Sequence, residues 1–434
     1  MLLVYTPKIT PRIRYIFKHI FFRMLEIDIR VSSSIEDFVV HNGPKLSYSN
    51  KPLGNELFFC SSTLLLDQGI QDISIDVLYI KNYPIFFNVL DKSAMPFDIF
   101  AASFYLISRY EEYLPHLKDS KGRFQYKESV AYKNNFLEKP IVDIWVYELR
   151  QIINNKFDNT FKTPILNKKI LPILEVSNPY MFRHKSLILS SFQALNSIWN
   201  LNFTNFLNQI YVLLRITKDP YLEYDFLIDK FKNIKYDLLS FFRYTQNSFD
   251  SGAISIFNSS YNQLIKNVSD KIPLSLLVSF FAQKNSKALK QEMSSLTSLI
   301  HRSSHKVRLN FGILSLPETY SMLVQNEVLE DYSMGYVNSV GYRASTSIPF
   351  YYYDLMNEVQ SPLKIYPVAV SEVALRKLSS QKAFNLIRKY YSKLPLENSI
   401  FGFAFTPKML SKSNENLSWR SSFLEYISEH EKSK

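Results

Sequence analysis

The sequence predicts an α/β protein of two domains, and three observations carry that prediction. The chain opens on an apolar strand, LLVYT, followed almost at once by the amphipathic stretch PRIRYIFKHIFFRML. Beyond residue 160, largely apolar strand-like runs alternate with helical patterns. The 434 residues, 46% of them apolar and 15% aromatic, supply enough material for two buried cores.

In the first domain, Leu2 to Thr6 reads as a buried strand. Ile13, Phe17, Ile20 and Phe21 then recur at helical spacing with basic residues between them. A strand for this helix to pack against favours a core helix over one lying on a membrane surface. Turn signals follow at Asn42-Gly43-Pro44 and Leu53-Gly54-Asn55. The run FDIFAASFYLISRYEEYLPH predicts a long helix with Phe97, Phe100, Ala101, Phe104 and Ile107 as its buried stripe and Pro115 at its end. Pro140 starts a further helix, and the polar segment 154–163 reads as a link, so the domains are expected at 1–160 and 161–434.

The second domain predicts strands at 170–176, 238–244, 274–281, 307–314, 365–370 and 400–405, with helices at 286–300, 317–328 and 372–391. Apolar strands separated by helices indicate parallel pairing covered on the outside. A barrel and a doubly wound sheet both satisfy this pattern. The longest uninterrupted apolar runs, such as 210–214, are strand-sized, far from the roughly 18 residues of a membrane span. Lys8 interrupts the start before a signal-peptide apolar region can form, so a soluble, cytoplasmic protein is expected.

Composition narrows the function. The single cysteine, Cys60, excludes an internal disulfide and a thiolate-cage zinc site. The net charge of +12 is spread along the chain instead of gathered in blocks, which argues against a nucleic-acid partner. Only 9 glycines are present, and no phosphate loop, Gly-x-Ser-x-Gly elbow or Cys/His nucleophile pair is found. His301 and His305 stand four residues apart, a spacing that can present two imidazoles to one metal on a helix, but they lie at a helix end and lack an accompanying glutamate. A solvated helix end is the expectation there, and a structural role is expected of His184.

Several stretches, namely YTPKITPRIRYIFKHI, HNGPKLSY, PLGNELFF, PFDIFAASFYLISRYEEYLPH, KDPY, LPETY, MGYVNSVGYRASTSIPFYYYDL and PLKIYPVAV, resemble the two-domain polysaccharide deacetylase-like proteins of Bacteroidetes. The resemblance implies an amino-terminal α/β domain ahead of a distorted (β/α) barrel of the polysaccharide deacetylase type. Deacetylation of an amino sugar needs a base, an acid and a divalent cation that polarises the carbonyl. The resemblance places two carboxylates at Glu175 and Ser177, a metal-binding histidine at Leu277, further histidines at Asn310 and Thr406, and an aspartate at Glu372. Every expected histidine is thus replaced, and the two surviving acids are glutamates.

Tyr342, Arg343, Tyr351 and Tyr353 remain as candidates for holding a sugar, since a guanidinium fork orients carboxylates and tyrosine faces stack on rings. Arg343 could equally pair with a buried acid and hold the barrel together, and the tyrosines could serve core packing. The leading expectation is a catalytically degenerate deacetylase-like protein that binds a polysaccharide, oligosaccharide or protein partner in envelope polysaccharide metabolism. No cofactor is expected in that case. A still-active hydrolase would use Glu175 as base with Glu372, and only then would zinc or a similar divalent metal be required. A purely structural or assembly role is the third reading. A packed barrel mouth would favour it, whereas an open cleft lined by Arg343 and tyrosines would favour glycan binding.

Overall fold

The computed structural model describes residues 1–434 apart from 81, 90, 91, 162–167, 186, 233–237, 247–252, 397 and 431–434. The expected link at 154–163 therefore lies partly outside the described residues.

Four short strands, β1 (Leu2–Tyr5), β2 (Ile29–Ser32), β3 (Lys45–Ser49) and β4 (Leu57–Cys60), pair in the order β2-β1-β3-β4, all parallel. Thr10 caps the first helix, accepting from the Ile13 N–H, and Pro11 stands at its first position, where a missing N–H is harmless. The helix Pro11–Phe17 continues as a wider π-helical turn, Lys18–Met24, and buries the Ile13, Phe17, Ile20 and Phe21 stripe. The helix expected to reach Pro115 stops at Ile107, because Arg109 takes a left-handed conformation with φ of 57°. All nine residues of Ile99–Ile107 are buried, so it is a core helix on every side and not an amphipathic one. The strands β5 (Leu78–Ile80) and β6 (Tyr83–Ile85) form a small hairpin, and the helix Ile141–Lys156 completes this half of the chain.

The second half forms one sheet of nine strands: β7 (Lys169–Val176), β8 (Leu239–Phe242), β9 (Leu274–Val278), β10 (Lys306–Leu309), β11 (Glu330–Met334), β12 (Phe350–Asp354), β13 (Val359–Pro367), β14 (Val370–Ser371) and β15 (Ile400–Phe405). Their order is β12-β13-β11-β10-β9-β8-β7-β15-β14, and every pair is parallel except β12 with β13. The sheet curls back on itself. The Val368 N–H donates to Met334 O on β11, and the next N–H, of Ala369, donates to Gly402 O on β15. The segment running from β13 into β14 therefore bridges both edges of the parallel strands, and the open choice between barrel and doubly wound sheet is decided for a curled, barrel-like sheet. This closure is tight enough to require glycine: a Cβ at Gly335 would lie 2.2 Å from Val368 O, and one at Gly402 would lie 2.4 Å from Pro367 O.

Four details depart from the sequence pattern. Strand β11, EDYSM, carries two acids and does not read as a buried strand, although four of its five residues are buried. The strand expected over 307–314 ends at Leu309, because Asn310–Gly312 turns with Phe311 at φ 59°. The helix expected over 372–391 splits into Glu372–Leu375 and Ser380–Ser392. The strand-sized apolar run 210–214 forms the end and cap of a helix, Phe203–Leu213, which with Leu187–Trp199 forms a hairpin between β7 and β8. No helix among the described residues is long and apolar enough to cross a membrane.

Candidate functional site

Strand alternation points every second side chain into the barrel. Ile173, Phe241, Leu277, Tyr332, Val368 and Ala404 meet there as a separate apolar cluster, with the Tyr332 and Tyr366 rings stacked at 4.5 Å. Leu277, where the resemblance puts a metal-binding imidazole, is fully buried in this plug.

Along β7 the same face continues from Ile173 to Glu175 and on to Ser177, at the carboxyl ends of the strands, where parallel barrels build their sites. Glu175 forms an ion pair with Arg308 of β10 at 2.9 Å, and Arg308 also donates to Tyr332 O. The Ser177 hydroxyl donates to Asn310 Oδ1 at 3.0 Å. Glu372 accepts from the Thr406 N–H and hydroxyl, both at 2.7 Å, and pairs with Arg376 at 2.5 Å. The fold thus brings the substituted positions together in pairs, Ser177 with Asn310 and Glu372 with Thr406, each joined by a side-chain hydrogen bond, while the buried Asn310 Nδ2 finds no partner among the described residues. Glu175 is neutralised by an arginine two residues before Asn310. Among the described residues, no three or more His, Cys, Asp or Glu side chains are grouped to hold a metal ion. His301 ends its helix in a left-handed turn with φ of 54°, and His305 Nδ1 lies 3.0 Å from Glu327 O, so the two imidazoles do not share a helix face.

The other sequence candidates lie on a different surface, the seam against the amino-terminal half. The Arg343 guanidinium is fully buried and donates through Nε and Nη2 to the two oxygens of Glu112, at 2.8 and 2.5 Å. Burial alone would raise the Glu112 carboxyl, but the guanidiniums of Arg343 and Arg109 outweigh it and hold it down at about 2. The Tyr353 hydroxyl donates to Glu358, which also receives Arg12 from the first helix. Tyr351 accepts the Tyr15 hydroxyl at its carbonyl and lies under the Arg23 guanidinium, 4.4 Å from the ring centroid. The Tyr342 N–H donates to Leu137 O. A further buried group in this seam, Asp143, accepts from Thr346 and from the Ser347 N–H and hydroxyl. Burial pushes its carboxyl up to about 6, against the pull of those donors. Arg343 and these tyrosines thus join the two halves of the chain, and Arg343 also borders a small pocket of about 110 Å³ beside Gly312, Gly335 and Tyr336.

Glu112 and Asp143 escape the motif search, yet Arg109-Tyr110-Glu111-Glu112 inside an apolar run is a usable signal, because acids buried there must find cationic partners.

A cavity of about 760 Å³ opens beside the seam, with Tyr83, Tyr132, Tyr342, Tyr390, Lys139 and Lys389 in its wall. The Tyr342 hydroxyl faces a buried setting and finds no hydrogen-bond partner among the described residues.

A family described as "Family of unknown function (DUF7033)" matches residues 2–158. No curated protein matches the chain. Among solved structures, a Mycobacterium smegmatis protein assigned as a polysaccharide deacetylase aligns with a TM-score of 0.40 at 10% identity, over 62% of this chain and 87% of that one. A 4-alpha-glucanotransferase from Thermococcus litoralis gives 0.36 at 11% identity, over 61% and 38%. A mutant of a CE4 family pseudoenzyme with restored enzymatic activity gives 0.28 at 6% identity, over 63% and 70%. With scores of this size, the architecture rests on the strand order and closure described above.

Proposed function

We propose that the chain is a deacetylase-like barrel that has given up metal-dependent hydrolysis and acts by binding a glycan. The observation that carries this reading is that the mouth residues are engaged with one another: Ser177 bonds to Asn310, Glu372 to Thr406, and Glu175 to Arg308. A catalytic divalent cation needs about three protein ligands and an open position. Here positions where the sequence resemblance expects a carboxylate or a histidine hold a hydroxyl at Ser177, an amide at Asn310 and a buried leucine at Leu277.

Support for a glycan comes from the seam cavity. Its volume suits a mono- or disaccharide, the exposed Tyr132 ring in its wall offers a flat amphipathic face, and Lys139 and Lys389 supply donors. The packed barrel interior favours a second reading, a purely structural or assembly protein, in which the cavity is only an interdomain gap.

The test titrates the full chain with zinc, cobalt and nickel, then with acetylated amino-sugar oligomers, comparing wild type with Glu175→Ala and Tyr132→Ala. The expected result is no stoichiometric metal and no acetate release, with saccharide binding weakened in Tyr132→Ala. Stoichiometric metal lost in Glu175→Ala, together with acetate release, would overturn the non-hydrolytic reading. Absence of saccharide binding across the series would overturn the glycan and leave the structural role.

A further inference from the structure

The helical hairpin between β7 and β8 carries its apolar faces outward. In Leu187–Trp199 no residue is buried, and Ile188, Phe192, Leu195 and Trp199, spaced four, three and four residues apart, are 85%, 69%, 65% and 87% exposed. That spacing is one continuous helix stripe. In Phe203–Leu213 and the residue after it, Phe203, Leu207, Tyr211 and Leu214 repeat the stripe, and all four are exposed. The helices hold each other through Gln209, whose amide donates to Ser190 O, while Val212 is buried.

Two such helices have little to keep them folded in water. A 13-residue helix is marginal alone, and its stability in proteins comes from packing an apolar face that here meets only solvent. A surface of this kind marks a docking site.

Charge identifies the occupant. From Val176 to Lys218 the chain contains no Asp or Glu, while Arg183, Lys185, Arg215 and Lys218 flank the two helices. The base of the hairpin is drawn together by Asp219, whose carboxylate accepts the N–H groups of Met181, Phe182 and Arg183. The four cations are therefore gathered at the base of two apolar stripes, and the whole chain carries +12. A second copy seated on this face would bring like charges together. An anionic lipid surface would take the stripes into its acyl boundary and the cations among its headgroups.

We propose that residues 187–214 form an interfacial anchor that docks the protein on an anionic membrane surface. The helices, roughly 20 Å and 17 Å long at 1.5 Å per residue, lie in the interface and do not span it. The anchor stands independently of the glycan reading, since it shares no residue with the seam cavity or the barrel mouth.

The experiment is co-sedimentation of the full chain with phosphatidylglycerol-containing vesicles and with pure phosphatidylcholine vesicles. It is run beside Phe192→Ser/Trp199→Ser and Arg215→Gln/Lys218→Gln variants. All four positions are exposed, so folding is expected to persist, and far-ultraviolet circular dichroism verifies it. The expected result is binding to the anionic vesicles, a blue shift of Trp199 emission on binding, and a loss of at least roughly tenfold in partitioning for each double variant. Failure of the wild type to sediment with anionic vesicles would overturn the proposal. So would a dimer in light scattering that the Phe192→Ser/Trp199→Ser variant dissolves, which would assign the face to a second copy.

Discussion

Replacing Arg343 by alanine tests whether the seam or a ligand explains this residue. Arg343 and Glu112 are both fully buried, and their double hydrogen bond at 2.8 and 2.5 Å is the charged centre of the contact between the two halves of the chain. Holding the Glu112 carboxyl at about 2 instead of its ordinary 4.5 corresponds to roughly 3 kcal/mol, at about 1.4 kcal/mol for each unit, shared between Arg343 and Arg109. Removing one partner of a buried pair leaves the other charge uncompensated, a loss of about 3–5 kcal/mol. Arg343→Ala is therefore expected to lower the unfolding free energy in urea by about 3 kcal/mol or more. The sign with pH follows from the depressed carboxyl: its contribution is present above pH 4.5 and disappears as the pH falls towards 2. The variant should show a flatter acid dependence across that window. A change below about 1 kcal/mol, with an unaltered acid slope, would refute the structural role and return Arg343 to the candidates for ligand binding.

Three further outcomes are expected. His19 is fully buried, and burial aided by Arg23 pushes its imidazole down to about 3. The unfolded chain takes up that proton first, so stability declines as the pH drops below 6.5, and His19→Leu should remove this part of the slope in acid denaturation curves. Leu277→Ala empties part of the barrel plug and should lower stability by about 2–5 kcal/mol in chemical denaturation; near-neutral behaviour would mean the interior is not packed as described. Gly335→Ala forces a Cβ against Val368 O at the barrel closure, and a loss of at least about 1–3 kcal/mol is expected, with a milder effect refuting the tight bridge.

How far the sequence was legible differs between fold and site. The strand and helix at 2–24 were readable because period and capping agree there: Thr10 and Pro11 start the helix, and Ile13, Phe17, Ile20 and Phe21 bury one face. The helix Ser286–Ile300 emerges with the expected bounds, capped by Asn285. Strand β11 was not readable, since its buried Asp331 finds its donors in the Tyr320 hydroxyl of the preceding helix and the Ser333 N–H of its own strand, contacts that periodicity does not report. The outward stripes of the hairpin were also hidden, because an apolar helix face looks the same in sequence whether it meets a core or solvent.

The substitutions at 175, 177, 277, 310, 372 and 406 are properties of the sequence itself, and so are the α/β alternation and the gap in acids between 176 and 218. Tertiary structure decided what those residues do to one another. It joined Ser177 to Asn310 and Glu372 to Thr406, gave Arg308 to Glu175, and sank Arg343 onto Glu112. Periodicity reports which face of an element is apolar, a local quantity. Pairing of charges and closure of a barrel join residues up to more than two hundred positions apart, and only the assembled chain sets those distances.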